Sequence, residues 1–362
     1  MSAPLLKQLS RRSFGKLLAA GAAGSSLPVA AAATGASPAV RKSREPKLIK
    51  PNRLHEGDLV GLITPSGHVD DEKIEKSIRN LESLGLRVKT GKYIRELRGN
   101  YAGTVTQRLE DLHAMFADRE VKAVWAATGG SGAISLLPFI DYALIRKNPK
   151  VFVGYSDITA LHLAIHRQTG LVTFHGPVAS STFSDYASGY LRALLMSPQS
   201  SLTISMAAEN HERGLTQPAF AVRTLVPGVA QGRLIGGNLS LVSALSGTDY
   251  AARFAGKLLF LEDISEAPYR IDRMMTQLRL GQDYNTAAAL MLGIFLKCEA
   301  NDGEISLTLA ETVDDQLKAL RVPAVQGYSF GHIAHQFTLP MGIMARIDTQ
   351  QQTLTLLEAA VS

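Results

Sequence analysis

The chain has 362 residues, 46% of them hydrophobic and 19% charged, with a formal net charge of +6 and a single cysteine. This is an ordinary globular composition, long enough for two domains with separate cores, and it excludes an extended disordered protein. One thiol excludes an internal disulfide, and no CxxC or HExxH pattern offers a metal site.

The N-terminus reads SRRSFGKLLAAGAAGSSLPVAAAA, with Arg11 and Arg12 paired, Phe14 and Lys16 following, and a small-residue apolar run ending in Ala31, Ala32 and Ala33. Residues 1–33 thus read as a twin-arginine signal with an A-x-A cleavage site, which implies the twin-arginine export machinery as a partner and the periplasm as the destination. Gly21, Gly24, Ser25, Ser26 and Pro28 interrupt the apolar run, which favours cleavage over a stable membrane anchor. The signal holds four cationic residues and no acid, so the remaining chain carries +2. Arg41, Lys42, Arg44, Lys47 and Lys50 make residues 34–50 a basic linker; no nucleic-acid-binding signature follows it.

From Asp58 onward, β-like apolar runs alternate with helix-period segments: DLVGLITPS, VDDEKIEKSIRNLESLG, LRVKTG, TVTQRLEDLHAMFAD and VKAVWAAT, then GAISLLPFI, VFVGYS, DITALHLAIHRQTG and LVTFHGPV. Such alternation predicts an α/β domain over 51–200, a parallel sheet with helices on its faces and with ligands at the C-terminal strand ends. MSPQSSLTISMAAENHERGLTQ has no sustained period, so 201–220 is read as a linker. The second domain, 221–362, offers an extended Gly228–Leu234, a GGN turn, the helix LSLVSALSG, the strand GKLLFLED, the helix APYRIDRMMTQLRLG, the strand AALMLGIFLKC and a hairpin-like MGIMARIDTQQQTLTLLE. Cys298, closing that last strand, reads as a small core residue.

Ser156 stands between the strand VFVG and a helix, where it is either an N-cap or a nucleophile raised above the sheet. A serine nucleophile needs a base and an acid to orient it. Glu262 and Asp263 end the strand KLLFL, with Glu266 nearby, and either carboxylate of the pair could instead cap the helix that follows. His332, in the glycine-flanked GYSFGHIAHQF, and His335 both qualify as the base. His162 and His166, four apart on a helix, lack a third ligand and read as core or surface histidines. The ATGGSG loop, Ala127 to Gly132, could turn its backbone N–H groups on an anion or a developing oxyanion, but its spacing is not that of a dinucleotide fingerprint.

Taken together, DLVGLITPSG, ATGGSGAISLLPFID, VGYSDITALH, TFHGPV, GRLIGGNLSLVSALSGT, LLFLEDISEAPYRIDRMMTQL and GYSFGHIAHQFTLPMG resemble the LD-carboxypeptidase family of serine peptidases, in family order from about Arg53 to the C-terminus. The resemblance implies a Ser156–Glu262–His332 triad, oxyanion donors on the backbone of Gly130 and Asp157, and neither metal nor cofactor. It also implies a flavodoxin-like N-terminal domain and a smaller β-rich C-terminal domain with the site between them. The implied substrate is the murein tetrapeptide, which loses its terminal D-alanine; Asn238 and Arg270 are candidates to meet a substrate carboxylate, with a helix cap and a surface ion pair as their alternative roles. Many family members read RGGYG where this chain has Thr128-Gly129-Gly130-Ser131-Gly132, so an arginine and a tyrosine are replaced beside the nucleophile. A homodimer is compatible with the sequence. The competing readings are an immunity-type hydrolase of peptide-nucleotide antibiotics, a periplasmic binding protein with no nucleophile, and a true α/β-hydrolase.

Overall fold

The computed structural model describes residues 46–362. Residues 1–33, read as a twin-arginine signal, and most of the segment read as a basic linker lie outside the described residues. The linker's last residues do not hang free of the domain: Ile49 forms a β-bridge with Leu171, and Lys50 pairs with Glu358 at 2.8 Å.

Five short strands build the first sheet: β1 (Leu59–Ile63), β2 (Arg87–Thr90), β3 (Val121–Ala126), β4 (Val151–Gly154) and β5 (Phe174–His175). They are mutually parallel in the order 5-4-3-1-2, the flavodoxin-like winding expected from the resemblance. The central strands are buried along almost their whole length, which is why they read as continuous apolar runs rather than alternating ones. Helices α1 (Asp71–Ser83), α2 (Val105–Ala117), α3 (Tyr142–Lys147), α4 (Thr159–Thr169) and α5 (Asp185–Leu195) cover the sheet. Their starts obey local chemistry: Asp70 caps α1, and Thr104 with Gln107 closes a capping box on α2. GAISLLPFI folds as a 3-10 turn, Ala133–Phe139, with Pro138 inside it.

The segment 201–220, read as a linker, carries β6 (Leu202–Ile204) and α6 (Ala208–Gly214). Periodicity missed β6 because a three-residue strand is too short to show one. The second sheet adds β7 (Arg223–Val226), β8 (Val229–Asn238), β9 (Lys257–Glu262), β10 (Ala289–Leu292), β11 (Ala324–Gln326) and, beyond β12 (Leu339–Pro340), the hairpin β13 (Met344–Asp348) and β14 (Thr353–Leu356). Its order is 6-14-13-8-9-10-11-7, parallel from β8 to β11 and antiparallel on both flanks. Between the strands run α7 (Leu239–Ala244), α8 (Pro268–Gln282) and α9 (Leu309–Leu317). β12 does not join this sheet; it returns to the first and pairs antiparallel with β5, Leu339 opposite His175. Among the described residues no helix is long and apolar enough to cross a membrane.

The sequence GGN, expected as a turn, continues β8, with Gly236 and Gly237 at φ +146° and +134°. A Cβ at Gly236 would collide with the Phe260 carbonyl of β9, and one at Gly237 would meet Thr159 of α4 at 2.5 Å. Gly236→Ala should therefore destabilise the fold by about 3 kcal/mol or more, read as a lowered midpoint in chemical denaturation.

Candidate active site

The loops at the C-terminal ends of β1, β3 and β4 converge, as expected for ligand sites in open α/β sheets. Ser156 follows β4 at φ +64°, one of five non-glycine residues with positive φ among those described. It caps nothing: the cap position of its 3-10 turn is Tyr155, that of α4 is Ile158, and neither end has a side-chain cap. An unfavourable backbone conformation with no capping return is what a strained strand-to-helix turn requires to lift a hydroxyl above the sheet.

Glu262 is the last residue of β9 and is fully buried. Its Oε2 accepts a hydrogen bond from His332 Nδ1 at 2.7 Å. That bond fixes the imidazole with its proton on Nδ1, leaving Nε2 as the basic nitrogen. Gly331, at φ +122°, makes the approach possible, since a Cβ there would stand 3.2 Å from Glu262 Oε2 and 2.9 Å from the Ile294 carbonyl. Burial alone would lower the pKa of His332, but the charge and hydrogen bond of Glu262, with a smaller contribution from Asp263, raise it above 6.5. Tyr155 lays its ring edge-on to His332 with centroids 4.7 Å apart, so the residue before Ser156 touches the imidazole directly. Among the described residues His332 bonds to Glu262 and no hydrogen bond joins it to Ser156 Oγ.

Geometry also separates the alternatives that residue types left open. Asp263 is engaged by Asn238 Nδ2 at 2.9 Å, by Ser240 N and Oγ at 2.9 and 2.8 Å, and by its own neighbour Ile264 N at 2.9 Å. Burial, then the charge of Glu262, pushes its pKa up to about 6. Glu266 pairs with Arg270 at 3.4 Å on the surface. His335 lies near Glu209 at 3.7 Å, and its carbonyl accepts from Asn210. Asn238 is buried, caps α7 and donates to Asp263, the helix-cap role left open by the sequence. Arg270 is exposed, bonded to Glu266 and to the Tyr269 hydroxyl at 3.1 Å, the surface-pair role. His162 is buried with Nε2 on the Gly154 carbonyl at 2.8 Å, and burial lowers its pKa to about 4 despite that bond. Cys298 is buried, with burial pushing its thiol up to about 12.

The glycine loop sits against Ser156. Gly129 accepts the Gly67 N–H on its carbonyl at 3.0 Å, so the trans peptide turns the Gly130 N–H away from the β1 loop. A Cβ at Gly129 would lie 2.8 Å from Ser156 Cβ and 3.5 Å from the Asp157 nitrogen. Neither the Gly130 nor the Asp157 amide donates within the described residues. The Asp157 carboxylate is buried and anchors the loop by accepting from Ser66 Oγ and, at 2.8 Å, from Ala133 N.

Four residues that the sequence did not single out, Ser66, Asn100, Tyr101 and Arg108, frame this loop. Arg108, buried on α2, donates to the carbonyls of Pro65 at 3.2 Å and Gly132 at 3.0 Å, with Tyr101 stacked 5.3 Å from its guanidinium, and Ser66 ties the β1 loop to Asp157. Arg108 was legible as an arginine on the apolar stripe of Leu112 and Met115. Ser131 accepts from Asn100 Nδ2 at 2.6 Å.

A hydroxyl on a strained turn, a buried carboxylate–imidazole pair and unengaged amides beside a glycine loop define a serine hydrolase. The LD-carboxypeptidase N-terminal domain model matches residues 60–176 and the C-terminal domain model residues 231–347. A probable murein peptide carboxypeptidase of Bacillus subtilis is 41% identical over 86% of this chain and 95% of its own length. The murein tetrapeptide carboxypeptidase of Pseudomonas aeruginosa is 32% identical over 80% of this chain and 92% of its own. The crystal structure of an MccF-like protein from Bacillus anthracis superposes with a TM-score of 0.76 at 29% identity, over 86% of this chain and 99% of that one. The chain belongs to the LD-carboxypeptidase family and is a serine-type carboxypeptidase.

Two outcomes follow from this geometry. In NMR titrations the His332 ring should titrate above 6.5, and Glu262→Gln should bring it below, because burial is then opposed only by Asp263. A raised pKa means that the pair contributes stability fully below about pH 6.5 and loses it as pH climbs through the folded-state value. Gly129→Ala, whose Cβ would stand 2.8 Å from Ser156 Cβ and force this turn to shift, should lower kcat by about 100-fold or more and also lower the melting temperature, the two read side by side.

Proposed function

We propose that the enzyme removes the terminal D-alanine from murein tetrapeptides through Ser156, His332 and Glu262. The observation that carries the reading is the 2.7 Å Glu262–His332 contact, with Tyr155 joining that pair to the strained Ser156. The names of the Bacillus and Pseudomonas relatives support the substrate class.

In this mechanism Ser156 Oγ attacks the carbonyl carbon before the D-alanine nitrogen, and His332 Nε2 takes the hydroxyl proton. The oxyanion that forms is met by the amides of Gly130 and Asp157. Glu262 holds the imidazole in place and stabilises its cation. The C–N bond then breaks as His332 returns the proton to the departing amine, leaving an acyl ester on Ser156. Water attacks that ester, His332 accepts its proton, and Ser156 leaves with it, freeing the tripeptide. Because His332 must be neutral to act, kcat/KM rises with pH through its raised pKa. Thr128 and Ser131, in place of the arginine and tyrosine common in the family, alter the cleft wall and with it the preference for the residue before D-alanine.

The twin-arginine pattern supports action in the periplasm, on wall peptides or fragments shed from them. N-terminal sequencing of exported protein should start near Thr34; an intact Met1 in the periplasmic pool would contradict cleavage.

Residues 34–362, incubated with the disaccharide tetrapeptide and read by mass spectrometry, should release one alanine, equally with and without EDTA. Ser156→Ala and His332→Ala should each cost about 10³-fold or more, and the double variant little beyond either alone, because the two act as one unit. An intact substrate in every tube would overturn the reading, and release that EDTA abolishes would overturn the serine mechanism.

A further inference from the structure

The second oxygen of the Glu262 carboxylate has no hydrogen-bond partner among the described residues, although it is fully buried. Close to it stands His175, on β5 of the other sheet, whose Nε2 is 3.9 Å from Glu262 Oε1. His175 is itself fully buried and neither of its ring nitrogens is paired. Its ring is held edge-on to Phe260 of β9, with centroids 5.4 Å apart, and 6.2 Å from the rings of Tyr155 and His162. Two buried polar groups that face each other just beyond bonding distance are costly unless they interact, at about 1–3 kcal/mol each. A side-chain movement on the order of 1 Å makes the bond.

We propose that His175 is a positioning residue for catalysis, whose Nε2–H donates to Glu262 Oε1 and so holds the carboxylate that orients His332. The inference rests on the triad reading above. His175 is neutral in this role, since burial, reinforced by the neighbouring His162 and His332, takes its pKa well below 6.5. A neutral donor shares the carboxylate's charge without neutralising it, so the carboxylate keeps its hold on His332 but binds its proton less strongly. The other groups around the carboxylate are Asp263 next on β9, Tyr155 after β4, His332 itself, and Cys298 and Glu266 in the loops beyond β10 and before α8. None of them supplies a donor to Oε1.

The position of the donor makes the test specific. A glutamine at 175 can carry its amide NH₂ to where Nε2 stands, whereas an asparagine reaches only the place of Nδ1. Wild type, His175→Gln and His175→Asn are compared by NMR titration of the His332 ring, which needs no substrate, and by the pH profile of kcat/KM on the disaccharide tetrapeptide, with thermal melts as the folding check. In His175→Asn the His332 pKa and the acid limb of kcat/KM should both move up by about one unit, and kcat should fall roughly tenfold. His175→Gln should titrate with the wild type. Equal His332 pKa values in all three folded proteins would overturn the proposal, as would a shift in His175→Gln as large as in His175→Asn. If the NMR shift appears but no protein cleaves the tetrapeptide, the positioning role stands and the substrate assignment falls.

Discussion

A buried carboxylate with an imidazole on one oxygen is the constraint on which the rest of the site depends. Glu262 ends a strand of the second sheet with no exposure to water, and the 2.7 Å bond from His332 is what answers its charge. Removing one partner of such a pair leaves the other uncompensated, at a cost of about 3–5 kcal/mol. The surrounding architecture serves that contact. Gly331 gives up a side chain so that the loop can close on the carboxylate, and Gly236 and Gly237 let β8 lie against β9 and α4. Asp263, next along the chain, is engaged by Ser240 in the first turn of α7 and by Asn238, and is drawn away from His332.

The nucleophile side answers to a different constraint, steric rather than electrostatic. Ser156 adopts a backbone conformation that costs energy in any L-residue other than glycine, and the surroundings hold it there through Asp157, whose carboxylate is pinned by Ser66 and Ala133. Arg108 reaches from α2 to hold the carbonyls of Pro65 and Gly132, so hydrogen bonds tie together the loops that follow β1, β3 and β4 around the serine. The chain lacks the arginine and tyrosine that many relatives carry within the glycine loop. Arg108 and Tyr101 approach that loop from outside it, close against Gly132.

The first sheet was legible in the sequence because its strands are buried on both faces and its helices carry a clear period. Helix α2 shows both signals, with a Thr104–Gln107 capping box and an apolar stripe. The second sheet was less legible: β6 and β12, with three and two residues, are too short for any pattern to register, and the GGN of β8 looks like a turn because its glycines are needed for close approach. Residue types alone left His332 level with His335, and Glu262 level with Asp263. Only the family pattern ranked them, and the hydrogen bonds supply the physical reason. Asn238 and Arg270 stayed open in the sequence between a ligand contact and a cap or ion pair, because a polar side chain near a site looks the same in either role; the bonds they make within the protein are the cap and the ion pair.

The excursion of β12 has a consequence for how the chain could be cut or recombined. A fragment ending in the 201–220 segment would keep all five parallel strands but forfeit the strand that covers the β5 edge, and with it the antiparallel partner of His175. It would expose a two-residue edge beside the nucleophile turn, while the complementary fragment would carry β12 with no sheet to join. The two halves are interleaved rather than beaded, so an exchange of one half between relatives must graft a matching edge strand along with His332, seven residues before it.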